Sequence, residues 1–304
     1  MEFIRNTFKV ITKAVNGFID DNCFQYSAAV SFYSLFSLAP IVLITVYTAG
    51  LFAGNESVMS ELTGFLNETV GADSTEAVIL LVENIQTDTR NVLYLILSFG
   101  FLLISATTVF VQFKDSFNRI FRIVPRKEAG FLKVLFDRAV SFGIILLLGV
   151  AMIFSLILDS VLIGLFDLLS ENYEDARIML ASLGGNVLTF IMIFFAILTM
   201  FYILPDVKAH RKPWIIGSLV TAILLVLGKF GVGMIIGNSS LNELTGASSS
   251  VIILMLWVYY SSIIVFFGVE LVKAMAEHKG SIIKAGRFAR KMRMVEIDSQ
   301  KKEH

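Results

Sequence analysis

Residues 249–272 read SSVIILMLWVYYSSIIVFFGVELV, a run whose single formal charge is Glu270. A helix needs roughly 20 predominantly apolar residues to cross the hydrocarbon layer of a bilayer, and this run meets that requirement. Five further stretches do the same: Ser31–Gly54, Val92–Phe113, Ala139–Phe166, Leu183–Leu204 and Trp214–Gly237. The longest connection is about 37 residues, too short for an inserted soluble domain. Composition agrees with this reading. The 304 residues are 56% hydrophobic and 16% charged, against roughly 25% charged in soluble proteins. A water-soluble enzyme of this size could not hide so much apolar surface.

Charge placement orients the spans. Of 25 basic residues, 22 fall at the termini and in the second and fourth connections, 2 in the first and third, and Lys229 inside the fifth stretch. Acidic residues number 12 in the odd connections and 11 on the basic side, with Asp159 and Glu270 inside spans. Cations collect on the cytoplasmic side of membrane proteins. The pattern predicts an all-α, polytopic membrane bundle of six transmembrane helices with both termini cytoplasmic. Residues 1–26 then form a cytoplasmic amphipathic helix, 27–273 the six-span bundle and 274–304 a basic cytoplasmic tail, all within one integral membrane domain.

Before the first span, Phe3, Ile4, Phe8, Ile11, Val15, Phe18 and Ile19 recur at helical spacing, with Arg5, Lys9 and Lys13 on other faces. Such a helix lies in the bilayer interface or packs on the bundle. The first outer loop is acidic and predicts two short helices, the second capped by Asp73 and Glu76. After span two, Phe110, Phe113, Phe117 and Phe121 continue to Pro125 among Lys114, Arg119, Arg122, Arg126 and Lys127. Residues Lys279 to Arg293 repeat that arrangement. Both read as basic helices against anionic inner-leaflet lipids. Orientation alone accounts for these cations, so no nucleic-acid partner is expected.

Within the spans, Ser31, Ser34, Ser37 and Pro40 serve either helix packing or a hydrated cavity. The fifth span holds glycines at 217, 228, 231, 233 and 237 around Lys229, and Gly233 and Gly237 have the small-xxx-small spacing of close helix contact. At 1.5 Å per residue, Lys229 lies about 22 Å from the inner boundary. By the same rise Glu270 differs from it in depth by roughly 18 Å and Asp159 by roughly 8 Å, so Asp159 is the expected partner. Trp214 suits the inner aromatic belt. Trp257, Tyr259 and Tyr260 stand near mid-membrane, for packing or for ligand contact.

The residue inventory argues against an enzyme. Three histidines, His210, His278 and His304, and one cysteine, Cys23, offer no converging ligand set, so neither a metal nor a cofactor is expected. The Gly231–Gly233 pair lies inside a span, where no nucleotide loop can form.

These residues resemble the YihY/BrkB family of bacterial inner-membrane proteins, older members of which carried the label ribonuclease BN. The resemblance covers nearly the whole chain. It rests on Ala28-Ala29-Val30-Ser31-Phe32-Tyr33 through Ser37-Leu38-Ala39-Pro40, Phe117-Asn118-Arg119-Ile120-Phe121, Phe201-Tyr202-Ile203-Leu204-Pro205 with Trp214 and Gly217, and Lys229-Phe230. Gly246-Ala247, Trp257-Val258-Tyr259 and Gly268-Val269-Glu270 complete it. Thr245 and Val269 depart from the family's usual tyrosine and alanine. The resemblance implies six spans in the bacterial cytoplasmic membrane and a loose connection with envelope resistance and export of lipid-like material.

The expected function is transport of an anionic or lipid-like substrate. The candidate substrate-binding set is Lys229, Asp159, Ser34, Ser37, Pro40, Trp257, Tyr260 and Glu270. The alternative is a non-transporting membrane scaffold or envelope-resistance factor with a structural intramembrane charge. Membrane lipids are the expected partners, and self-association is open.

Overall fold

The structure, a computed structural model, describes residues 2–53, 55–70, 92–125, 135–147, 174–208, 210–237, 248–278, 284–286 and 289–292, with single positions 72, 75, 76, 79, 150 and 154. Asp159, Asp73 and the side chain of Lys229 lie outside this set, so the readings made there do too. The chain forms α1 (Glu2–Asp20), α2 (Cys23–Ala53), α3 (Asn55–Val70), α4 (Val92–Ile120) and β1 (Ile123–Pro125). It continues as α5 (135–147), α6 (Glu174–Ile203), β2 (Val207–Lys208), α7 (Arg211–Gly237), α8 (Ser248–His278), β3 (Lys284–Ala285) and β4 (Ala289–Lys291).

Among the described residues two stretches, Arg211–Gly228 and Ile252–His278, are long and apolar enough to cross a membrane. Large apolar side chains such as Phe36, Phe101, Phe195, Leu227 and Leu256 stand exposed on the outer surfaces of the long helices. A helix bundle with its apolar residues facing outward needs a nonaqueous surrounding. Inside, α2 packs against α4 and α8, α7 against α6 and α8, and α1 against α8.

At one end of the core Phe117 of α4 meets Phe201 of α6 and Phe266 of α8 edge-on, each at 5.8 Å between ring centroids. Phe121 packs on Trp214 at 5.6 Å. These contacts correct two expectations. The Phe110, Phe117 and Phe121 stripe is buried in the core and does not face lipid headgroups. Trp214 is 2% exposed and serves the core, not an aromatic belt. Periodicity marks an apolar face without saying what covers it, and here neighbouring helices cover it.

The basic tail is corrected as well. Among the described residues it forms two short strands that fold back onto the bundle, not a helix. β4 pairs antiparallel with β1, Ile123 opposite Lys291, and β3 pairs antiparallel with β2, Val207 opposite Ala285. The Met292 amide donates to the Arg122 carbonyl at 2.7 Å, and the Gly286 amide to the Asp206 carbonyl at 2.7 Å. The all-α expectation therefore gains two small sheets. They arise because the segments leaving α4 and α6 offer unpaired backbone groups that the tail satisfies. Arg122 (φ 55°) and Asn22 (φ 58°) take left-handed conformations where the chain turns sharply out of α4 and between α1 and α2.

Candidate functional site

The described site candidates of α2 are largely engaged in packing. Ser31 Oγ donates to the Met255 carbonyl of α8 at 2.7 Å, and Ser37 Oγ to the Ser105 carbonyl of α4 at 2.6 Å. Ser34 and Pro40 are buried in the same helix, which runs through the proline. Tyr260 lies against Gly228, where an added Cβ would meet its ring at 2.7 Å and its hydroxyl at 2.9 Å. Trp257 is half-buried one turn earlier on α8.

Close approach of α7 and α8 depends on glycine at Gly217, Gly228 and Gly268, whose missing side chains leave room for Val272, Tyr260 and Thr221 respectively. The side-chain surroundings of Gly233 and Gly237 lie outside the described residues. The contacts also fix an antiparallel register. Gly217 stands level with residues 268–272 and Gly228 with 260–264. Glu270 is therefore about 13–18 Å along the bundle from the level of Lys229, counted on α8 or on α7.

Two charged constellations occupy the end of the bundle where α4, α6 and α8 finish and α2, α5 and α7 begin. The first joins three elements. Lys114 of α4, 3% exposed, holds Asp137 of α5 at 2.6 Å and Asp206, between α6 and α7, at 3.1 Å. Asn118 brackets Asp206, accepting from its backbone amide at 2.8 Å and donating to its carboxylate at 3.3 Å. Burial works to lower the Lys114 pKa, but the Asp137 hydrogen bond and the charges of Asp206 and Asp137 outweigh it and leave it above the ordinary lysine value. Two to three turns earlier along α4, the Ile104 carbonyl accepts from Arg138 at 2.7 Å and the hydroxyls of Thr107 and Thr108 accept from the same guanidinium.

The second constellation lines a cleft of about 770 Å³ between α1, α8, the α4–β1 turn and the end of β4. Its floor is Glu270, 1% exposed, placed against Gly17 of α1. A Cβ at Gly17 would overlap the Glu270 carboxylate, so glycine is what admits that group. The Lys273 ammonium bonds the Asp21 carboxylate and lies 3.3 Å from Glu270 Oε2. Arg122, half-exposed, reaches Asp21 at 3.8 Å, and Lys13 pairs with Glu277 at 2.7 Å near the mouth. Lys9 and Lys291 line opposite walls, and Phe8, Phe121 and Met292 add apolar surface. Beneath the floor, burial and then the negative charges of Glu270 and Asp21 push the Cys23 thiol well above its ordinary pKa. Among the described residues no group of three or more metal-type ligands converges.

Of the predicted residues whose side chains are described, Glu270 lines this cleft, and Ser34, Ser37, Pro40, Trp257 and Tyr260 do not. Sequence reasoning passed over Asp21, Lys273, Asp137 and Asp206, and read Lys114 and Arg122 only as cations of a helix against lipid. A signal existed. Lys114 and Lys273 each stand one position past an apolar run, where a buried end of the bundle can demand a paired charge.

Comparison with known proteins gives one family. The family model described as Virulence factor BrkB matches residues 14–292. A UPF0761 membrane protein of Saccharophagus degradans is 22% identical over 92% of this chain, which spans 62% of that relative's length. UPF0761 membrane proteins of Pseudoalteromonas translucida and Alteromonas mediterranea are each 25% identical, over 84% and 90% of this chain and 82% and 89% of their own lengths. No solved structure matches the chain.

Proposed function

The chain belongs to the Virulence factor BrkB family of membrane proteins, and on that premise we propose that it moves an anionic, lipid-like substrate across or within the bacterial cytoplasmic membrane. In this reading six helices span the bilayer and both termini are cytoplasmic. The cation asymmetry between alternate connections supports that orientation. The chain acts without enzymatic chemistry, metal or cofactor, and binds no nucleic acid.

The observation that carries the reading is the cleft. Its lining sets five cations, Lys9, Lys13, Arg122, Lys273 and Lys291, against four carboxylates, Asp20, Asp21, Glu270 and Glu277, beside the apolar Phe8, Phe121 and Met292. An amphiphile with an anionic head and an apolar body needs both kinds of surface. Arg122 is only loosely held by Asp21, at 3.8 Å, so an incoming anion competes with a weak partner and not a tight one. Deeper in the bundle, Lys229 supplies the next cation along such a route, with Asp159 as its proposed partner.

The test is flux of a fluorescent phosphatidylglycerol in vesicles containing the purified protein. Flux above protein-free vesicles is expected, falling at least tenfold in Arg122→Ala/Lys291→Ala and in Lys229→Met. Unchanged flux in folded variants would remove those residues from the route, and background flux with the native protein would end the transport reading. A non-transporting scaffold is the second reading. The interhelical bonds of Ser31 and Ser37 favour it, because they leave those hydroxyls committed to packing. Only the scaffold survives if native protein gives no flux.

A further inference from the structure

Helix α1 divides into three sectors of unlike chemistry. At about 100° per residue, Val10, Ala14 and Phe18 share one side, and these pack on the bundle, with Ala14 and Val10 against Leu271 and Ala274 of α8. About 100° further round stand Phe8, Ile11, Val15 and Ile19, and all four are exposed, Phe8 at 70% and Ile19 at 61%. The third sector carries Lys9, Lys13, Asn16 and Asp20, which wall the cleft, joined there by Phe8 from the second sector.

An amphipathic helix lying flat beside a membrane bundle has these three environments: protein on one flank, lipid below and water above. The exposed stripe also does not stop at the end of α1. Phe24, in the first turn of α2 and itself half-exposed, sits edge-on against Phe18 at 4.9 Å, and exposed Phe32 and Phe36 follow along α2. The apolar outer surface of the long helices thus passes without interruption onto α1. Arg5 and Lys9 lie in the sector next to the stripe, where lipid headgroups would be.

We propose that α1 is an in-plane anchor, its Phe8–Ile11–Val15–Ile19 stripe seated in the headgroup–acyl boundary of an anionic leaflet. The occupant of this surface is the bilayer, because the stripe is continuous with the apolar girdle and edged by cations. Seated there, α1 holds the cleft mouth at headgroup depth. For the proposed function this narrows the substrate to one presented by the membrane itself, though the anchor stands without that function.

Site-directed spin labelling tests this without any flux measurement. In a Cys23→Ser background, Phe8→Cys, Val15→Cys and Ile19→Cys are labelled with a nitroxide beside Lys9→Cys and Asn16→Cys. The full chain is placed in nanodiscs of phosphatidylglycerol and phosphatidylethanolamine. Collision with oxygen relative to a nickel chelate should be severalfold higher at the first three positions than at the last two. Equal, nickel-accessible behaviour at all five would overturn the anchor by showing the stripe in water. Low accessibility to both reagents with spin–spin broadening would overturn it differently, by showing a second copy on the stripe. If Cys23→Ser does not fold, the native background serves, since Cys23 is buried and labels poorly.

Discussion

Removing the Lys114 ammonium should be among the most damaging single changes at the charged end. Its nitrogen lies 2.6 Å from Asp137 and 3.1 Å from Asp206. At an effective dielectric near 20, those separations correspond to attractions of about 6 and 5 kcal/mol. Desolvation cancels much of this, several kcal/mol per ion. Loss of one partner from a buried pair nevertheless costs about 3–5 kcal/mol, because the remaining charge is stranded. Asp137 and Asp206 retain side-chain exposures of 15% and 21%, and Asn118 still bonds Asp206, which places Lys114→Met at the lower end. Roughly 3 kcal/mol over a chain of this length corresponds to a Tm decrease of about 5 °C on the per-residue entropy scale. Differential scanning fluorimetry in detergent reads it directly. Adding Asp137→Asn to Lys114→Met should recover about 1 kcal/mol, since the stranded negative charge is then removed. The pH dependence has a defined sign. The folded-state pKa of Lys114 is raised, so its contribution is complete below the unfolded value and is lost as pH climbs through the folded one. The Tm gap between native and Lys114→Met should stay constant from pH 6 to 9 and close only above roughly pH 10.4. A Lys114→Met protein melting within about 1 °C of native, or a double variant no better than the single, would refute the reasoning.

Three further outcomes follow from the packing. Gly268→Ala drives a methyl into Thr221 and to 3.0 Å from Phe201 Cζ, both side chains fully buried, and should cost roughly 1–3 kcal/mol; Gly228→Ala should cost less, because the half-exposed Tyr260 can swing aside, and equal melting of the two would contradict the register. Ser37→Ala removes one interhelical hydrogen bond and should lose only about 0.6 kcal/mol in unfolding titrations, so a much larger loss would mean that the hydroxyl supports more than the Ser105 carbonyl. Gly17→Ala drives a methyl into the buried Glu270 carboxylate and should cost roughly 1–3 kcal/mol, so a Tm equal to native in detergent would contradict the close seat of Glu270 against α1.

How far the sequence carried this reading differs from element to element. The apolar run at 249–272 is long, continuous and interrupted by one charge, and the structure builds α8 across it from Ser248 to His278. Helix α1 was equally legible: its packing reading holds for Ala14 and Phe18, which are buried on the bundle, while Phe8 and Ile19 stay exposed and carry the proposed anchor. The tail was not legible. Strands of two and three residues are shorter than any alternation that could announce them, and their partners β1 and β2 lie more than 70 residues away in the chain. Charge pairing was hidden for a related reason. The count placed Lys114, Asp137 and Asp206 on one side of a membrane, yet which of them meet depends on how the ends of α4 and α6 stand beside the start of α5.

The two charged constellations differ in a way that bears on function. Lys114 is almost fully buried and held by two carboxylates at 2.6 and 3.1 Å, with Asn118 completing the shell of Asp206. Nothing in that geometry leaves a cation free for an incoming anion, so it ties α4, α5 and the α6–α7 turn into a fixed frame. Across the same end, Asp21 draws Arg122 only to 3.8 Å, and that guanidinium is 46% exposed beside an open cleft. A half-exposed, loosely paired cation gains more from a new anion than a buried, saturated one, because it gives up less to meet it. In the proposed function, ligand exchange therefore falls to the α1–α8 side, where Asp21, Arg122 and Lys273 meet, and rigidity to the side of Lys114.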